Sequence, residues 1–167
     1  MFVSVITIKI LLLASAAWGD VINRTISNRS CLVLALVGML GQILVGPLAL
    51  ATSTAIAAGV FLVLLLLHNF KVLGGGDVKL LVAMALGLPP IGVVSLFTAT
   101  ALAGGVLCLL HLLMRRLPLP RLAKANASVF RRVYAVERWR VIRHAALPYG
   151  VAIACGGIWT ILSTIGV

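Results

Sequence analysis

Six apolar runs follow one another along the chain, and together they make the bilayer the solvent of this protein. They extend from Met1 to about Ile22, from Cys31 to about Leu50, from about Ala55 to Leu67, from Val78 to Leu88, from Ile91 to Met114 and from Ala145 to Val167. The 167 residues are 62% hydrophobic and only 10% charged, where a soluble domain is nearer half apolar and about a quarter charged. The interior is then helices packed on helices. The expected fold is all-α, a polytopic membrane protein with about six transmembrane helices. It is read as a single integral-membrane domain over residues 1–167, with a basic loop at about 115–144.

Three of the connections between the runs are short, while the one from Arg115 to about His144 is long. Asn23 to Ser30 is polar and basic, Ala51 to Thr54 reads as a turn, and Pro89-Pro90 stops the fourth run. The first run carries Ala-Ser-Ala at residues 14–16, which resembles a signal-peptide cleavage site. No Lys or Arg precedes it, however, and Lys9 interrupts it, so a retained first helix is expected.

The formal net charge is +11, from 14 Lys+Arg against 3 Asp+Glu. In a soluble domain that balance would suggest nucleic acid. Here the basic residues lie in the gaps between apolar runs, so no nucleic-acid partner is expected and the charge reads as a topology signal. With the N-terminus outside, Arg24, Arg29, Lys71, Lys79 and the nine Lys/Arg from Arg115 to Arg143 all fall inside. The two outer connections carry no charge. Lys9 alone disagrees and is expected to snorkel outward. Both termini are therefore expected outside. The segment Lys124 to His144, which mixes Arg with Val, Phe, Tyr and Trp, reads either as an interfacial helix on anionic lipid or as a solvated loop.

Against this background the stretch Gly-Gly-Gly-Asp at residues 74–77 stands out. From Asp77 to Leu88 a helix rises only about 17 Å, against a hydrocarbon core of about 30 Å. With Pro89 at the outer surface, Asp77 lies inside the bilayer, and non-helical glycines at that depth require a cavity or cleft. A P-loop reading fails, because Asp77 follows Gly76 where Lys would be needed. Gly74, Gly75 and Gly76 fit close backbone approach by an extended substrate, or small-residue helix packing.

Only three residues are acidic. Glu137 lies among arginines in the basic segment, which leaves Asp20 and Asp77 as the only aspartates, each at a membrane segment. Three chemistries accommodate them: proton or cation transport, structural pairing of Asp77 with Lys79 or of Asp20 with Arg24, and aspartyl-protease chemistry. In the last, two nearby carboxylates share one proton; one activates water and the other donates to the substrate carbonyl. Composition alone does not choose among the three, and spacing does not show that the two aspartates meet. Cys31, Cys108 and Cys155 form no C-x-x-C pair, and His68, His111 and His144 are scattered, so no metal site is expected.

Three stretches carry a resemblance. Gly74 to Asp77 is similar to the G-x-G-D motif of intramembrane aspartyl peptidases, and Gly74 to Pro89 resembles the fourth segment of prepilin peptidases, including Lys79 two residues after the aspartate. Asp20 to Asn28 is similar to the first motif of that family, with Ser27 where proline is usual. Leu147 to Gly157 resembles the last helix of the small tight-adherence (Flp-pilus) type.

The resemblance implies a prepilin leader peptidase with Asp20 and Asp77 as its catalytic pair. Such enzymes cut the basic leader of type IV prepilins at the cytoplasmic face of the bacterial inner membrane. The implied substrate is a prepilin or pseudopilin, and no cofactor is implied. Larger relatives methylate the new N-terminus and carry two C-x-x-C pairs; their absence here implies peptidase activity alone. Gly74, Gly75 and Gly76 would admit the substrate backbone, and Pro148 and Gly150 would break the last helix and shape the far wall of the cleft. Lys79 is assigned either to the site or to lipid headgroups. Asn28, with Asn23, is assigned either to Asp20 or to a helix cap. The alternative is a small transporter or proton channel using the same carboxylates.

Overall fold

The computed structural model describes residues 2–116 and 147–165. They form six helices: α1 (Phe2–Asn23), α2 (Asn28–Val45), α3 (Pro47–Asn69), α4 (Gly75–Ala85), α5 (Pro90–Arg116) and α6 (Tyr149–Ile165). There is no strand among the described residues. Four of the helices are long and apolar enough to cross a membrane, over Val5–Asn23, Asn28–Val45, Pro47–Asn69 and Pro90–Leu113, and α6 is a shorter apolar helix. Large apolar side chains such as Leu48, Ile91 and Leu102 are mostly exposed, as suits surfaces that face lipid. The protein is a multi-pass helical membrane protein. Beyond Arg116, the basic segment expected at about 115–144 lies outside the described residues.

The short helix is the centre of the bundle. α4 has 11 residues, and Val78, Leu80, Leu81, Ala83, Met84 and Ala85 are all buried. It packs against α2, α3 and α6, while α6 packs along α5 and α1. Glycines allow this closeness. A Cβ built on Gly38 of α2 would lie 2.8 Å from the Cα of Gly87, just past α4. One on Gly157 of α6 would lie 3.0 Å from Leu13 and 3.2 Å from Met84. In lipid, where apolar burial gives little drive between helices, such small-residue contact is the main source of packing energy.

At about 16 Å, α4 spans only half the hydrocarbon thickness. The carbonyls at its end and in the turn just past it therefore need partners inside the protein. Lys9 supplies one: its Nζ reaches the Gly87 carbonyl at 3.5 Å. A cation at the C-terminal end of a helix is also favoured by the helix dipole. Lys9 is thus directed to the turn that follows α4.

Three boundaries differ from the sequence reading. Ala51 to Thr54 is helical, because the break between α2 and α3 falls earlier, at Gly46. Gly46 has φ 144° and Pro47 follows in the first turn of α3, so one glycine reverses the chain and the proline starts the next helix. The hydroxyls of Thr52 and Ser53 bond to carbonyls three and four residues back, which satisfies them without a turn. Gly75 and Gly76 form the first turn of α4, and Gly74 is its N-cap. The irregular chain at this depth is therefore the loop from Phe70 to Gly74. Pro148 precedes α6 and does not break it; it starts the helix, where its missing N–H has no cost.

Candidate active site

Each aspartate is placed by the end of a helix. Asp20 sits in the last turn of α1, whose terminus is closed by Arg24: the Arg24 N–H donates to the Asp20 carbonyl at 3.0 Å, and Arg24 has φ 56°. Asp77 sits in the first turn of α4, where the positive end of the helix dipole faces its carboxylate. The loop that leads into α4 is held from the side. Lys71 closes α3 in the left-handed region (φ 58°), and His68 Nδ1 lies 2.9 Å from the Leu73 carbonyl.

The third element is the start of α6. The Gly150 N–H donates to Oδ2 of Asp20 at 2.8 Å. A Cβ on Gly150 would lie 2.8 Å from that same oxygen and 3.0 Å from the Asp20 Cβ. Glycine is required here by the closeness of the carboxylate. Asp20 is buried, 8% exposed, and Asp77 is half-buried.

The two carboxylates meet at one cavity of about 770 Å³ and are near enough for their charges to interact. Polar groups on its wall are Asp20, Arg24, Asp77, Thr100 and Tyr149. The apolar wall comes from α3, α4 and α5, through Leu64, Leu67, Leu81 and Phe97. The pocket thus carries two carboxylates on a wall whose other side is apolar.

The remaining residues singled out in the sequence take different places. Gly74 lines the cavity, and a Cβ on it would lie 2.9 Å from Oδ2 of Asp77. Gly75 faces the His68 ring at 3.4 Å and Gly76 faces Ile26 at 3.3 Å, each measured from a built Cβ, and neither lines the cavity. Lys79 is exposed and donates to Oδ1 of Asn28 at 3.0 Å, joining α4 to α2 away from the cavity wall. Asn28 opens α2, and its cap position is Ser27, which makes no side-chain cap bond. Pro148 is buried beside Gly150. Among the described residues no three His, Cys, Asp or Glu side chains converge as a metal site would require.

Arg24, Tyr149 and His68 were not singled out as site residues from sequence. Arg24 counts in the sequence toward topology and as a structural partner of Asp20, and His68 only as one of three scattered histidines. Tyr149 lay unremarked between Pro148 and Gly150; its position inside that short turn was the available signal.

Fold and site define a class: a multi-pass helical membrane protein that presents two carboxylates, from different helices, to one cavity. The sequence profile of the type IV leader peptidase family matches residues 7–109, more than half of the chain and including both aspartates, and the chain belongs to that family. It is a peptidase by membership. No curated protein and no solved structure gives a significant match.

Proposed function

We propose that the protein is an aspartic endopeptidase that removes the basic leader of type IV prepilins of the Flp type at the cytoplasmic face of the bacterial inner membrane. The observation that carries this reading is the shared cavity of Asp20 and Asp77, in a chain of the type IV leader peptidase family. The assignment to the cytoplasmic side rests on charge: Arg24 and Lys71 lie at the cavity end of α1 and α3, while at the other end Gly46 and the Gly87–Pro89 turn are uncharged and Lys9 alone reaches the turn among the described residues.

In the proposed reaction a water lies between the carboxylates. Asp20, whose anion is supported by the Gly150 N–H, takes the proton of that water as general base. The water oxygen adds to the scissile carbonyl carbon, and protonated Asp77 gives its proton to the carbonyl oxygen. Collapse of the resulting geminal diol transfers a proton to the amide nitrogen and breaks the C–N bond. On this reading the two carboxylates share one proton, because neighbouring carboxylates cannot both ionise easily. Gly74 leaves room for the substrate backbone beside Asp77. No methyl transfer is proposed.

Co-expression with a Flp-type prepilin tests this reading. Leader removal, seen as a mass shift of the pilin, is the expected result. Aspartate-dependent proton or cation flux in liposomes, with the prepilin left intact, would instead support a transporter.

A further inference from the structure

Tyr149 stands at the junction of the groups just described. It lines the cavity with Asp20 and Asp77. Its own chain neighbour, Gly150, is bonded to the Asp20 carboxylate at 2.8 Å, so the phenol leaves the backbone one residue from an anchored point. Its ring is supported from the other side by α5. A Cβ on Gly104 would lie 3.1 Å from the ring Cε2 and 3.8 Å from Cζ. The phenol is therefore held between a glycine that admits the ring and a glycine that holds the acid.

The backbone donors near the start of α6 are already committed. The Tyr149 N–H donates to the Leu147 carbonyl at 2.9 Å, and the Val151 N–H to the Pro148 carbonyl at 3.1 Å. The Gly150 N–H is taken by Asp20. Thr100 Oγ1 makes no hydrogen bond, but it is fully buried against Gly156 of α6 and out of reach of the cavity. Of the two hydroxyl residues on the cavity wall, Thr100 has its oxygen fully buried while Tyr149 is only half-buried, so the phenol is the hydroxyl that the cavity can reach.

Resting on the proposed aspartic mechanism, we infer that Tyr149 is a third catalytic residue, whose phenol O–H donates a hydrogen bond to the oxygen of the scissile carbonyl. As the water oxygen bonds to the carbonyl carbon, the π electrons move to that oxygen and negative charge builds there. The Asp77 proton neutralises it. Tyr149 keeps its own proton throughout and stabilises the oxygen while charge develops. A hydrogen bond that strengthens on the way to the transition state raises kcat and leaves ground-state binding almost unchanged.

The test uses the full-length protein in lipid nanodiscs with a purified type IV prepilin, and compares wild type with Tyr149→Phe, Gly104→Ala and Asp77→Asn. Loss of one such donor typically lowers kcat by about 10²-fold. Tyr149→Phe, which keeps the ring, should therefore lose about 30- to 100-fold in kcat, with KM within about twofold and an unchanged unfolding temperature. Gly104→Ala keeps the phenol but displaces its ring, and should lower kcat by about tenfold, also with little change in KM. If Tyr149→Phe retains kcat within about threefold while Asp77→Asn is inactive, the inference fails and the aspartic mechanism stands. A loss in Tyr149→Phe that follows a lowered unfolding temperature, or that resides in KM, also overturns it, since packing or binding would then explain the residue. Full activity of Asp77→Asn, or no cleavage by wild type, would remove the mechanism and the inference together.

Discussion

Asp20 of α1 and Gly150 of α6 are joined by a hydrogen bond of 2.8 Å between residues 130 apart in sequence. That bond ties the last helix to the first carboxylate, and the second carboxylate, Asp77, faces the same cavity from α4. Three helices thus meet at one polar point in a bundle whose outer faces are apolar.

Gly150→Ala should disrupt this junction directly. Alanine normally favours a helix over glycine by up to about 1 kcal/mol, but here the new methyl would lie 2.8 Å from Asp20 Oδ2 and 3.0 Å from its Cβ. Overpacking of this kind costs about 1–3 kcal/mol, so the net effect is destabilising. Thermal unfolding in detergent should show a lower transition, and prepilin cleavage should fall by more than stability alone explains.

The three glycines before Asp77 should separate by role. Gly74→Ala places a methyl 2.9 Å from Asp77 Oδ2, at the end of a side chain that can swing away, so folding survives and cleavage falls. Gly75→Ala meets His68 only at 3.4 Å and should be close to wild type in both respects. Gly76→Ala presses on Ile26 at 3.3 Å and should lose stability modestly. Equal cleavage rates for Gly74→Ala and Gly75→Ala would contradict this ordering.

Gly38→Ala tests the packing of α4. Its methyl would meet the Cα of Gly87 at 2.8 Å, and a backbone atom cannot rotate aside. A loss of about 1–3 kcal/mol is expected, read as a shift in the denaturant midpoint of the reconstituted protein.

Lys79→Ala removes a hydrogen bond to Asn28 on an exposed face. Such bonds contribute about 0.5–1.5 kcal/mol net, and neither residue lies on the cavity wall. Steady-state cleavage should stay within about threefold of wild type; a loss of a hundredfold would place Lys79 in the reaction.

The membrane character and the helix count were legible because long apolar runs and basic gaps are signals of composition. Asp20 and Asp77 were legible as candidates because carboxylates are rare and costly in such a setting. Their convergence was not, since it depends on how α1, α4 and α6 pack. Ala51 to Thr54 misled because small polar residues also satisfy themselves inside a helix, while the real reversal used a single glycine at Gly46. Gly75 and Gly76 misled in the opposite sense. Glycine is costly in a helix interior, yet here both sit in a first turn, where the close approach of Ile26 favours glycine at Gly76 and His68 lies only in ordinary contact with Gly75. Lys9 looked like an exception to the charge pattern, and its role follows from where a short helix ends.

The central claim is that Asp20 and Asp77 work as one catalytic pair. Asp20→Asn and Asp77→Asn preserve shape while removing the ability to exchange the proton. Each variant, confirmed as membrane-inserted, should leave a co-expressed prepilin with its leader intact. Leader removal at the wild-type rate by either variant would contradict the account.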